Sequence, residues 1–136
     1  MSYTLGMAGE VRIRKQIVER MAEEARRVPA QECCGLLAGR SHVITEIFPA
    51  TNALASATEF EIAPAELFRI FRAMREAGVE HLGIYHSHPQ GPAVPSPRDV
   101  EQAFYPEAAY FVLAADSVRA FVIREGKVEE LQIREV

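Results

Sequence analysis

The chain has 136 residues, of which 49% are hydrophobic and 25% charged, and its net charge is −4. That length fits one ordinary domain that buries roughly two-thirds of its unfolded surface, and the mixed composition fits a globular protein. The mildly acidic balance argues against a nucleic-acid partner or an anionic membrane, and no apolar run approaches the roughly 18 residues of a membrane span.

The opening MSYTLGMAGEVRIRK has no signal-peptide apolar core, so the cytoplasm is the expected location. Ile13, Ile17, Met21, Ala25 and Val28 form an apolar stripe at helical spacing, with Arg12 to Lys15 and Arg26-Arg27 as solvated face. This predicts a packing helix from about Ile13 to Val28, stopped by Pro29. Cys33 and Cys34 are neighbours and cannot staple a loop, so both are expected as small, buried, reduced thiols. The run ECCGLLAGR, a turn at Gly39 to His42, and Val43 to Phe48 predict two strands joined by a turn. After a loop over 49–58, Glu59 to Ala63 alternates charged and apolar residues and predicts a short strand with Phe60 and Ile62 on one side. Pro64, Glu66, Leu67, Ile70, Phe71, Met74 and Gly78 then describe a second amphipathic helix with a glycine stop.

The stretch from His81 to Phe104 concentrates metal-binding residue types. Leu82, Ile84, His86 and His88 fall on alternate positions, so a strand here presents one apolar face that ends in two imidazoles. Pro89 to Pro95 form a loop whose prolines restrict its path. Ser96-Pro97-Arg98-Asp99 opens a third helix, expected to run to about Phe104, and Ser96 and Asp99 project to the same side of it. The same pair fits a capping box, and the two readings are compatible: the cap orients the backbone while Asp99 reaches a metal. Tyr110 to Ala114, Val118 to Ile123 and, after Gly126, Val128 to Ile133 complete the predicted strands. Alternating strands and helices without repeat or linker argue for one α/β domain over 1–136 with a mixed sheet.

Two imidazoles and a carboxylate make a three-ligand set that leaves a tetrahedral position open. The absence of thiolate favours zinc, with iron, cobalt and manganese as alternatives. Glu101 and His81 are the alternatives to Asp99 as third ligand; otherwise His42 and His81 read as structural or surface histidines. Hydrolysis of an amide at such a site also needs a carboxylate to move the water proton. On pattern alone Glu32, ahead of CCGLLAG, is a surface residue at a strand edge.

HSHP, six further residues, Ser96, two residues and Asp99, with the upstream glutamate of PAQECCGLLAG, resemble the JAMM (MPN-plus) metallopeptidase family. The likeness covers nearly the whole chain and matches all five family positions. It implies that Glu32 is the general acid/base, that His86, His88 and Asp99 hold one zinc ion, and that Ser96 supports the oxyanion. It also implies the family's α/β fold, a curved mixed β-sheet flanked by helices and related to the cytidine-deaminase architecture. The short 50–58 loop is similar to that of the small prokaryotic branch, whose expected partner is a ubiquitin-like sulfur-carrier protein with a Gly-Gly tail. Such enzymes trim a C-terminal extension or release an amino acid built on the carrier, and an extended tail is expected to add beside a sheet edge. A zinc deaminase is disfavoured because Cys33-Cys34 is not Cys-x-x-Cys and HSH lacks His-x-Glu. A carrier-binding module without catalysis is the other rival.

Overall fold

A computed structural model of the chain describes residues 9–115 and 117–136; residues 1–8, on which the expectation of a leaderless start partly rests, lie outside them. The elements run β1 (Glu10–Ile13), α1 (Lys15–Arg27), β2 (Cys34–Arg40), β3 (Val43–Ala50), α2 (Pro64–Ala77), β4 (Glu80–Ser87), α3 (Pro97–Glu101), β5 (Ala109–Ala114), β6 (Ser117–Arg124) and β7 (Lys127–Glu135). The sheet order is β1-β3-β2-β4-β5-β6-β7, and β7 pairs back onto β1 so that the sheet closes. The pairs β1–β3, β1–β7 and β4–β5 are parallel and the rest antiparallel. The expected curved mixed sheet is therefore present, with curvature that continues to closure. No helix among the described residues is long and apolar enough to cross a membrane.

Helices cover both faces of the central strands, which is why CGLLA and AYFVLA are continuously apolar rather than alternating. On one face Ile17 and Met21 of α1 join Leu37, Tyr85 and Phe111. On the other, Ile70 and Met74 of α2 join Leu36, Ile84 and Tyr110, with Val100 of α3 beside them. Burying each such side chain stabilises the fold by about 1.5–3 kcal/mol. Pro64 starts α2 and Gly78, at φ 70°, ends it, its N–H donating to the last-turn carbonyls.

Four expectations are corrected. Ile13 belongs to β1 rather than to α1: Val11 and Ile13 are 1% and 0% exposed and alternate inward as strand residues, a period that meets the helical stripe only at Ile13. Glu59–Ala63 is extended but not a strand, because the Asn52 side chain takes the bonds a ladder would make. Its Nδ2 donates to the Glu59 carbonyl at 2.9 Å and its Oδ1 accepts from the Glu61 N–H at 3.2 Å. Leu82 does not share a face with Ile84 and His86. The β2–β4 register passes from Leu37–Gly83 to Ala38–His81, and this bulge turns Leu82 toward α1 while Ile84 faces α2. Finally, α3 stops at Glu101, with the Gln102 N–H bonded to the Arg98 carbonyl at 2.9 Å. Cys33 and Cys34 are free and buried, as expected.

Candidate metal centre

The site is built from the end of β4, the loop after it, the first turn of α3 and the segment that enters β2. His86, the penultimate residue of β4, is 2% exposed, and the Phe60 ring stacks on it at 4.7 Å and 22°. Its Nδ1 has no hydrogen-bond partner among the described residues, so stacking sets this ring. His88 lies just beyond the strand, and its Nδ1 meets the Pro92 carbonyl at 2.8 Å. A carbonyl only accepts, so that nitrogen carries a proton; the neutral ring keeps the Nε2 lone pair for a metal, and the doubly protonated ring donates from Nε2 to Asp99.

Asp99 joins them from α3. Its Oδ2 is 3.0 Å from His86 Nε2 and 3.1 Å from His88 Nε2, and the two imidazole nitrogens are 3.1 Å apart. Donors on a tetrahedral zinc-sized cation, at about 2.0–2.1 Å from it, stand about 3.3–3.4 Å from one another, so the triangle fits a metal ion. These three side chains form a group able to hold one. Burial alone would raise the Asp99 carboxyl, but hydrogen bonds from His86, His88 and the Ser96 N–H outweigh it and hold the carboxyl well below the usual range. The Asp99 hydrogen bond in turn raises His88.

Ser96 caps α3 as expected. Its Oγ accepts from the Asp99 N–H at 3.1 Å, and its N–H donates to Asp99 Oδ2 at 2.8 Å. The oxygen that faces the imidazoles is thus the oxygen held by the cap, and the Ser96 hydroxyl proton is left to donate elsewhere. An ion pair from Arg98 Nε to Glu59 at 2.8 Å ties α3 to the segment that carries Phe60.

Glu32 stands two residues ahead of β2. Cys34 is opposite His86, and the Ser87 N–H donates to the Cys33 carbonyl at 3.0 Å, so one further step along the ladder sets Glu32 beside His88. The side chain is not at the surface: Glu32 is 3% exposed, and its Oε1 has no partner among the described residues. Burial pushes its pKa up to about 7, with His88 opposing the rise and Asp99 adding to it.

The alternative ligands fall away. Glu101 is exposed. His81 lies inside β4 with Nε2 bonded to the Gly83 carbonyl at 2.9 Å, between the rings of Phe71 and Tyr105, and burial lowers its pKa to about 4. His42 sits in the exposed β2–β3 turn at φ 64°. Sequence reasoning missed Phe60, Ser87 and Pro92. Only Phe60 carried a signal, its apolar position in an alternating segment; the Ser87 hydroxyl and the Pro92 carbonyl act through contacts that no local pattern announces.

The family described as prokaryotic homologs of the JAB domain matches residues 14–125. A probable TtuB-protein conjugate cleaving protease from Thermus thermophilus is 40% identical over 98 residues, which cover 71% of this chain and 65% of that protein, just under two-thirds of its length. A desampylase from Haloferax volcanii is 35% identical, with 85% of this chain and 84% of that protein covered. A CysO-cysteine peptidase from Mycobacterium tuberculosis is also 35% identical, with 87% and 86% covered. A solution structure of a protein from Desulfitobacterium hafniense superposes with a TM-score of 0.84 at 30% identity, over 93% of this chain and 92% of that one. A JAB1/MPN domain protein from Archaeoglobus fulgidus shares the fold, with a TM-score of 0.62 at 19% identity over 94% and 100% of the two chains. With a match that runs from the start of α1 to the end of β6, the chain belongs to the prokaryotic branch of the JAB family.

Proposed function

We propose that this chain is a zinc-dependent metallopeptidase of the cytoplasm that hydrolyses the bond after the C-terminal glycine tail of a ubiquitin-like sulfur-carrier protein or its adduct. The observation that carries the reading is the convergence of His86, His88 and Asp99 beside a buried carboxylate, Glu32. The names of the relatives, a CysO-cysteine peptidase and a TtuB-protein conjugate cleaving protease, support the same substrate class.

His86 Nε2, His88 Nε2 and Asp99 Oδ2 would hold the metal, with Phe60 and the Pro92 carbonyl fixing the two rings. Zinc bound there supplies a redox-silent Lewis acid that activates water and polarises a carbonyl. Glu32 accepts the proton of the attacking water and delivers it to the leaving nitrogen. A carboxyl with a pKa of about 7 can do both near neutral pH. The free Ser96 hydroxyl proton donates to the carbonyl oxygen as charge develops on it. A narrow cavity of about 150 Å³, lined by Phe60, Ile62, His86, Asp99 and Tyr105, suits an extended tail without side chains.

The test is a carrier precursor with residues beyond Gly-Gly, incubated with the zinc-loaded protein and with Glu32→Gln. The parent releases the extension, while Glu32→Gln keeps its metal and loses about 10²–10⁴-fold in rate. Full turnover by Glu32→Gln would refute the mechanism. Intact precursor after prolonged incubation with the parent would leave a carrier-binding module as the better account.

A further inference from the structure

Asn52, in the loop between β3 and α2, is 8% exposed, and both polar atoms of its side chain are bonded to main chain. Nδ2 donates to the Glu32 carbonyl at 3.1 Å and to the Glu59 carbonyl at 2.9 Å, with the Ser56 carbonyl at 3.4 Å. Oδ1 accepts from the Leu54 N–H at 3.0 Å and from the Glu61 N–H at 3.2 Å. Carbonyls on one side and N–H groups on the other leave one orientation of the amide. The bond to Leu54, two residues on, is an Asx-turn, and a loop device needs no more than that. The donors to Glu32 and Glu59 go beyond it.

These bonds join two parts of the site that no strand pairing connects. One is Glu32, ahead of β2: Asn52 holds its carbonyl, and its N–H donates to the Ser56 carbonyl at 2.8 Å. The charges that act on its carboxyl belong to His88, Asp99, Glu59 and Arg98, so the side chain faces α3 and the segment around Glu59. The other part is Phe60. Asn52 bonds the carbonyl just before it and the N–H just after it, and so clasps both peptides that flank the ring stacked on His86. Because His86 Nδ1 has no hydrogen-bond partner among the described residues, that imidazole depends on this stack for its orientation.

We infer that Asn52 is a positioning residue: one amide sets Glu32 and, through Phe60, the His86 ring against one another, an assignment that rests on the peptidase reading above. Asn52 acts on no reacting atom itself. It fixes where the water proton is received relative to a metal ligand, and a displacement of about 1 Å there costs on the order of 10²-fold in rate. The wall of the tail cavity has other ties, since Arg98 pairs with Glu59 at 2.8 Å and the Ala53 N–H donates to the Glu61 carbonyl at 2.8 Å. Loss of the amide therefore acts on turnover more than on tail binding.

Two double-mutant cycles test this, one with substrate and one without, on variants that urea titration shows to be folded at the assay temperature. In the first, Asn52→Ala and Asn52→Asp are each combined with Glu32→Gln, zinc-loaded, with the carrier precursor that extends beyond Gly-Gly as substrate. Each is expected to lower kcat about 10–10²-fold in the parent with KM within about twofold, and to lower the residual rate of Glu32→Gln by less than about threefold. Where Asn52→Asp does not fold, Asn52→Ala carries the cycle. In the second, zinc affinity is read by competition with a chelator, and Asn52→Ala weakens it about tenfold in the parent but little in Phe60→Leu. Parental turnover by Asn52→Asp reduces Asn52 to a loop turn and overturns the inference. Equal fractional losses in both backgrounds of either cycle do the same. Failure of the parent to hydrolyse the precursor overturns the peptidase reading instead, and the zinc cycle still decides whether Asn52 sets His86.

Discussion

Cys33 and Ser87 hold each other twice: the Ser87 N–H donates to the Cys33 carbonyl at 3.0 Å, and the Cys33 N–H donates to the Ser87 hydroxyl oxygen at 2.8 Å. This double tie lies between His86 and His88 on one strand and next to Glu32 on the other, so it fixes Glu32 against the two histidines. Ser87→Ala leaves the buried Cys33 N–H without its acceptor, at a cost of about 1–3 kcal/mol. The free energy of unfolding in urea is expected to fall by that amount, lowering the midpoint, and hydrolysis to fall with it, while metal content stays at the parent level. An unchanged midpoint would show that the remaining backbone bond is enough.

Metal content separates ligands from neighbours. Elemental analysis of protein purified without chelator is expected to give about one zinc per chain, and His88→Ala and Asp99→Ala are each expected to lose it. Ser96→Ala keeps the metal but loses about 1 kcal/mol of helix capping, together with part of the rate. Retention of zinc by Asp99→Ala would move the third ligand elsewhere.

Glu32 gives a pH signature in the chelator-treated protein. Burial raises its pKa from 4.5 to about 7, so between those values the folded chain holds a proton that the unfolded chain releases. Stability from this group is complete below pH 4.5, declines as pH rises toward 7, and is lost above it. The loss is on the order of 3 kcal/mol. Glu32→Gln does not titrate. Melting curves of the two proteins are thus expected to match near pH 4.5 and to separate by several degrees at pH 8, with Glu32→Gln the more stable. Parallel curves across that range would contradict the burial of an ionisable carboxyl.

Tyr85 and Gly35 test the core behind the site. Tyr85 is 0% exposed, and its hydroxyl has no partner among the described residues, so Tyr85→Phe is expected to be neutral or to stabilise by up to about 1 kcal/mol. A Cβ on Gly35 would stand 2.5 Å from Tyr85 Cε1 and 2.6 Å from Cζ. Gly35→Ala is therefore expected to destabilise by about 1–3 kcal/mol, and Tyr85→Phe not to rescue it, because both ring carbons remain. Denaturant titration of the single and double variants measures both.

The convergence of His86, His88 and Asp99 was legible because they are close in sequence and each sits at a recognisable position, two on alternate residues and one at a helix start. The burial of Glu32 near them was not legible from pattern, which read it as a surface residue. Its burial depends on the pairing of β2 with β4, a contact between residues 54 apart in the Cys33–Ser87 bond, which local pattern does not record. The strand expected at Glu59–Ala63 failed because Asn52, in the loop before it, replaced the ladder with side-chain bonds. Leu82 turned over because one unpaired residue reverses every face beyond it, and alternation cannot reveal a bulge. β1 escaped because four residues beside a helical stripe are too few to show a period of their own.

The pairing of β1 with β7 also orders the events of synthesis. Glu10 lies opposite Gln132, and the Val136 N–H donates to the Ile13 carbonyl at 3.0 Å, so the first strand, which pairs with β3 only at Arg12 and Ile13, gains its longer parallel neighbour only when β7 has emerged from the ribosome. Until then the β7 edge of Glu10 to Ile13 lacks its native partner. Such distant pairing is slow to find. The nascent chain can bring His86, His88 and Asp99 together before the sheet closes.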